Sequence, residues 1–185
     1  MQFELAAILR GVQVTCMLVT HDPEEAMVMA DRVALMRDGV IAQLGTPQQV
    51  YDQPRDRFAA EFLGPVNVFP GAVVAAAADA LAVDVPALGG RHVVARPPEG
   101  GSAGSAVSVA IRPERLALAP ADAAGGLSVA VLDRAFLGTH TVYRVTLPGG
   151  ATATVQQPRD GGRLFVAGEG ATLRIDPDAL RLLAD

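Results

Sequence analysis

The sequence predicts two unlike parts, an α/β remnant over residues 1–63 and an all-β barrel domain over residues 64–185. Three observations carry this. All five methionines and most helix-start signals fall before residue 64. One apolar run there, "VQVTCMLV" (12–19), does not alternate and is flanked by helical patterns, as in a strand buried on both faces of a parallel sheet. Beyond residue 64 the composition turns to Ala, Val, Gly and Pro in short alternating runs. At 185 residues the chain is long enough to bury a substantial core.

Residues 2–10, "QFELAAILR", read as the end of an amphipathic helix, with Gly11 placed as a left-handed C-cap. The run 12–19 follows as the buried strand, and Cys16 within it is expected to act as a small buried hydrophobe. Such a strand needs neighbours, and the chain offers few others before residue 63. This segment is therefore expected to be the tail of an α/β domain whose earlier strands are absent. Asp22 is a predicted N-cap, with Pro23 at the first helical position and Glu25 placed for a capping box, opening a helix over 23–30. Asp38-Gly39 between "DRVALM" and "VIAQLG" predicts a hairpin, because its turn demands positive φ. Thr46-Pro47 starts a short helix through Tyr51 that Pro54 stops, and "RDRFAAEFL" forms a last helix ending at Gly64.

In the second part the predicted strands are 66–74, 81–85, 91–95, 106–112, 127–135, 140–147, 151–156, 163–166 and 171–175. Turn-rich joints separate them, among them 97–105, 120–126 and the hairpin connection "PGG" at 148–150. Short strands at regular spacing predict a small barrel or a pair of barrels. The Ala-rich tract 72–82 fits least well, since alanine prefers helix.

Net charge is −5, and no dense Lys/Arg cluster offers a nucleic-acid footprint, so no nucleic-acid partner is expected. Arg10 and Asp79 interrupt the two longest apolar stretches, so neither can span a bilayer. The start lacks a basic segment and a small-residue cleavage site, so a cytoplasmic chain is expected. His92 and His140 lack the neighbouring ligands of a metal site, and no metal is expected. Met27 and Met29 read as packing residues, Asp31 and Arg32 as a local polar pair, and Arg112 as a candidate for a domain-packing ion pair.

The candidate functional residue is His21. A polar "THD" directly after a buried parallel strand puts it at the strand's carboxyl end, where open α/β sheets bind ligands. There an imidazole can donate to a phosphate oxygen or position a water. The stretch "VTHDPEEAMVMADRVALMRDGVIAQLGTPQQVYDQP" resembles the switch-histidine region of ATP-binding cassette (ABC) transporter ATPases that drive solute import. "FAAEFLGPVNVFPGAV" is similar to the junction into the accessory TOBE, or OB-like, domain of such importers, and "AIRPERLAL" and "LDRAFLGTHTVYRVTL" to segments within it. The resemblance implies that His21 contacts the ATP γ-phosphate and helps hold the attacking water. ATP and Mg2+ are then the cofactors of the full-length subunit. A homodimer of ATPase subunits, membrane permease subunits and, indirectly, a solute-binding protein are the implied partners. The implied location is the inner face of the cell membrane. Cues for the solute conflict among polyamine, iron and sulfate types.

No G-x-x-x-x-G-K followed by Ser or Thr occurs in the sequence, and the family's signature segment and acidic strand-end pair are absent from it. His21 is thus expected to be one part of a site whose other parts this chain does not encode, and the isolated chain is expected to be inactive and to bind no nucleotide tightly. A stand-alone module, holding a small anion in the cleft of the β-domain or serving dimerisation, is the competing reading. An enzyme using His21 as general base is a third.

Overall fold

A computed structural model describes residues 2–12, 14–97, 101–159 and 162–184. They fall into two compact units, 1–64 and 65–185.

The first unit contains α1 (Gln2–Val12), α2 (Pro23–Met29), a hairpin of β1 (Val33–Arg37) and β2 (Val40–Gly45), α3 (Pro47–Asp52) and α4 (Arg57–Phe62). The hairpin turns through Asp38 and Gly39 at φ 51° and 80°, the mirror-image turn that this dipeptide favours. Thr46 and Gln49 close a reciprocal capping box on α3, and the Asp56 carboxylate accepts from Ala59 N–H to cap α4. Val33, Leu35, Val50, Ala59 and Leu63 form a small core, with Met27 packed against it.

Four expectations fail here. The α/β remnant is not evident: residues 14–20 form no strand, and Gln13, within the predicted run, lies outside the described residues. The reason is physical. A strand is held by ladder hydrogen bonds, and no other described segment of the chain pairs with this one. Met17 and Val19 are consequently about 90 % exposed, and Cys16 is exposed rather than buried. Gly11 is not a left-handed cap either, because α1 continues through it to Val12. Asp31 and Arg32 stand exposed without an ion pair to each other.

The second unit is all-β. Its strands are β3 (Asn67–Ala76), β4 (Ala80–Val85), β5 (Gly90–Ala95), β6 (Ala106–Ile111), β7 (Leu116–Pro120), β8 (Leu127–Phe136), β9 (His140–Thr146), β10 (Thr152–Pro158), β11 (Gly170–Ile175) and β12 (Arg181–Leu183). They make two five-stranded antiparallel sheets, ordered β12-β6-β3-β4-β5 and β10-β9-β8-β11-β7. The Ala-rich tract lies in the β3–β4 hairpin, because its alternating partners Val73, Leu81 and Val83 are buried. Each sheet curls until its edge strands approach, β7 toward β10 and β5 toward β12. Gln157 on β10 donates from Nε2 to the Leu118 carbonyl on β7 at 3.3 Å, bridging one of these seams. The result is a pair of incomplete barrels of the OB type over one continuous core that includes Leu81, Val109, Tyr143, Val155 and Leu173.

The two barrels repeat one plan. Three strands meander, the fourth returns beside the first, and the fifth crosses to the other sheet, so β7 completes the second barrel and β12 the first. The detail repeats as well. Val73 on β3 donates to Ser105 O and accepts from Gly104 N–H, while Val131 on β8 donates to Glu169 O and accepts from Gly168 N–H. Both strands carry a bulge at that point. The crossing peptides match in sequence, Ile111-Arg-Pro-Glu-Arg-Leu116 and Ile175-Asp-Pro-Asp-Ala-Leu180, and both leucines are buried.

Strands β7 and β12 were not expected, and the predicted strand 163–166 is irregular, although Phe165 within it is buried. Residues 98–100 of the joint 97–105 lie outside the described residues.

One exposed contact gives a pH dependence. Arg144 Nε donates to both oxygens of Asp133 at 2.9 Å, across the β8 bulge. That hydrogen bond holds the Asp133 carboxyl below its ordinary range, and the guanidinium charge acts in the same direction. A lowered folded-state pKa contributes stability that is present above the unfolded value and lost as pH falls through the folded one. Both groups are solvated, so the contribution is small. We expect the urea midpoint of Arg144→Met to lie slightly below that of the unmodified chain at pH 7, and the difference to shrink as pH falls below about 4.

Candidate functional site

His21 lies in the loop between α1 and α2, exposed, and its ring has no hydrogen-bond partner among the described residues. The loop around it is well tied. Asp22 caps α2 with its carboxylate, accepting from Glu24 N–H at 2.9 Å, and Pro23 takes the first helical position. Glu25 does not complete a capping box. Its carboxylate instead accepts from Thr20 Oγ1 at 2.8 Å, and the same hydroxyl accepts from Asp22 N–H at 3.0 Å. Thr20 and Glu25 thus hold both sides of His21, a pairing that the capping pattern hid because Glu25 occupies the correct position for either role.

What this loop can do by itself is limited. The side chains beside His21 are Asp22, Glu24 and Glu25, whose charges oppose a polyphosphate. No glycine-rich phosphate cradle occurs in the sequence. Among the described residues no group of His, Cys, Asp or Glu could hold a metal ion. No helix among them is long and apolar enough to cross a membrane.

The β unit holds the other candidate groups. Arg112 is buried and donates from Nη1 to the Pro65 carbonyl at 3.1 Å, so it ties the start of the unit to the crossing peptide. His140 meets the Thr139 hydroxyl at 3.1 Å. His92 meets the Leu88 carbonyl through Nε2 at 3.0 Å, and it lines an open cleft of about 460 Å3 with Leu88, Ala124–Leu127, Arg174 and Ile175. Arg174 was not singled out by the sequence. It sits at an outward position of β11, where an arginine is unremarkable until the fold places a cleft beside it.

A search against known proteins places these features. The TOBE domain model matches residues 109–183. The spermidine/putrescine import ATP-binding protein PotA 1 of Pseudomonas aeruginosa is 38 % identical over 190 residues, covering 100 % of this chain and 50 % of that protein. The putrescine transport ATP-binding protein PotG of Escherichia coli is 40 % identical over 166 residues, covering 84 % of this chain and 42 % of that protein. The chain spans about half the length of the curated relatives it matches. Among solved structures, the cytoplasmic molybdate-binding protein ModG with molybdate bound has a TM-score of 0.50 at 22 % identity, covering 63 % of this chain and 94 % of that one, a likeness of fold alone. The chain carries a TOBE domain and is homologous to the C-terminal region of importer ATP-binding proteins.

Proposed function

We propose that this chain works as the C-terminal part of the ATP-binding subunit of an importer, and that the imported solute is a polyamine. The observation that carries the reading is the match over 100 % of the chain, at 38 % identity, to a spermidine/putrescine import ATP-binding protein. In this reading residues 12–19 belong to the sheet of a nucleotide-binding domain, which gives the exposed apolar run a ladder. His21 then stands at the carboxyl end of that strand and offers one hydrogen bond to the γ-phosphate of ATP, in a site where Mg2+ and the phosphate cradle are held by residues outside this chain. Thr20 and Glu25 fix the loop that presents it.

The working partners are a second ATPase subunit, membrane permease subunits on the inner face of the cell membrane and, through them, a solute-binding protein. The β unit serves as the accessory domain. The unbound apolar side chains of residues 14–19 support a context in which more protein covers them.

The test is an assay of magnesium-dependent phosphate release from ATP by the pure chain. No turnover above the blank is expected. Turnover that His21→Ala abolishes would overturn the reading, because it would put a complete site within this chain.

A further inference from the structure

The loop that carries His21 is built from two consecutive turns closed by side chains. Thr20 Oγ1 accepts from Asp22 N–H at 3.0 Å, which arches the chain over His21, and the Asp22 carboxylate accepts from Glu24 N–H at 2.9 Å, which arches it over Pro23. His21 is the central residue of the first turn. Its backbone, and with it the direction of its Cα–Cβ bond, therefore depends on where the Thr20 hydroxyl is held. That hydroxyl is held by Glu25, whose carboxylate accepts from it at 2.8 Å. The groups form one relay, from Asp22 N–H to Thr20 Oγ1 and from the Thr20 hydroxyl to Glu25.

By position alone Glu25 has a different role. As the third residue beyond the Asp22 cap, it is placed to accept from Asp22 N–H directly and close a capping box. The Thr20 hydroxyl is interposed between that amide and the carboxylate instead. The interposition changes what the glutamate governs. In a capping box it would fasten the helix start alone, whereas here it fastens residue 20 to residue 25 and so encloses His21. A hydrogen bond from a hydroxyl to a carboxylate is stronger than one between neutral groups, and it makes the hydroxyl oxygen a better acceptor for the amide. Thr20 and Glu25 are both half-buried, while the His21 ring is exposed and bonded to none of the described residues.

We propose that Glu25 is a positioning residue for His21: acting through the Thr20 hydroxyl, it fixes the turn that aims the imidazole, without contacting the nucleotide itself. The proposal rests on the reading of His21 as the γ-phosphate contact. A histidine that must meet one phosphate oxygen and one water has little tolerance in direction, and a misplacement of about 1 Å costs a catalytic group much of its effect. The relay supplies that direction from within the loop, because all of its members lie between residues 20 and 25.

The test uses the N-terminal portion of the Pseudomonas aeruginosa relative, the part this chain does not match, joined to residues 1–185. Glu25→Ala and Thr20→Val are each expected to lower kcat roughly tenfold or more while KM for ATP stays within about twofold, because the loss falls on orientation and not on binding. Thr20→Ser keeps the hydroxyl and Glu25→Gln keeps an accepting oxygen, so both return most of the turnover. In a His21→Ala background Glu25→Ala costs nothing more, since its effect runs through the imidazole, whereas a role in helix stability alone would lower turnover in both backgrounds. Amide exchange at Asp22 quickens in Glu25→Ala and Thr20→Val. Full turnover by Glu25→Ala beside an inactive His21→Ala, a further loss in the double variant, a loss in Thr20→Ser as large as in Thr20→Val, or unchanged exchange at Asp22 would each overturn the proposal and leave the ATPase reading standing. Turnover unchanged by His21→Ala would overturn that reading, and the proposal with it.

Discussion

Phe165→Ala is expected to cost the β unit about 3–5 kcal/mol, the usual loss for emptying an aromatic core site. Phe165 comes from an irregular segment, yet it is about 1 % exposed and meets Tyr143 edge-on at a centroid distance of 6.0 Å and an angle of 82°. Arg134 on β8 donates from Nη1 to the Phe165 carbonyl at 3.1 Å, holding the backbone where no ladder does. The ring is therefore the apolar anchor of the segment 162–166, beside the Arg134 bond and the bond from Val166 N–H to the Glu169 carboxylate. Urea unfolding checks this, and with an m-value of about 2 kcal/mol/M the midpoint falls by roughly 2 M. A midpoint within about 0.3 M of the unmodified chain would show that the segment is not part of the cooperative core.

Asn67→Ala is expected to cost about 2–3 kcal/mol, although it removes only a short polar side chain. The carboxamide satisfies both backbone groups of Thr154, and truncation leaves an N–H and a carbonyl without their partner inside the protein. Asn67→Asp keeps the shape but replaces the donating NH2 by an oxygen facing the Thr154 carbonyl, so it should be no better than alanine near neutral pH. Urea midpoints of the two variants decide this. An aspartate variant as stable as the unmodified chain would show that the acceptance from Thr154 N–H alone holds the two strands.

Much of this architecture is legible in the sequence because it is local. Asp38-Gly39, Thr46-Pro47 with Gln49, and Asp56 before Arg57 fix turns and helix starts through their own backbone and side-chain bonds, whatever surrounds them. Most β-unit strands follow from alternation, which survives even in the Ala-rich hairpin because Val73, Leu81 and Val83 mark one face. Segments whose state depends on a distant partner read less well. The run 12–19 has the composition of a buried strand, but strand formation needs a neighbour to pair with. "RLFV" alternates correctly and still forms no strand, since its anchor is the Phe165 ring and not a ladder. The strands β7 and β12 are short and cross between barrels, so nothing adjacent in sequence announces them. The signal that finds them is the repeat I-x-P-(D/E)-x-L at Ile111 and Ile175, visible only when the two halves are aligned with each other.

The candidate site divides the same way. His21 stands out by sequence alone through its place between an apolar run and a capped helix. The Thr20–Glu25 bond does not, because a glutamate at that position also satisfies the capping pattern.

In the proposed reading His21 belongs to an ATPase site completed by protein outside this chain. The direct measurement joins the N-terminal part of the Pseudomonas aeruginosa relative, the portion this chain does not match, to residues 1–185 and compares phosphate release with that of its His21→Ala form. Magnesium-dependent hydrolysis by the joined protein is expected, with a loss of roughly a hundredfold or more on His21→Ala and nucleotide binding retained. Equal turnover by the two forms would contradict it.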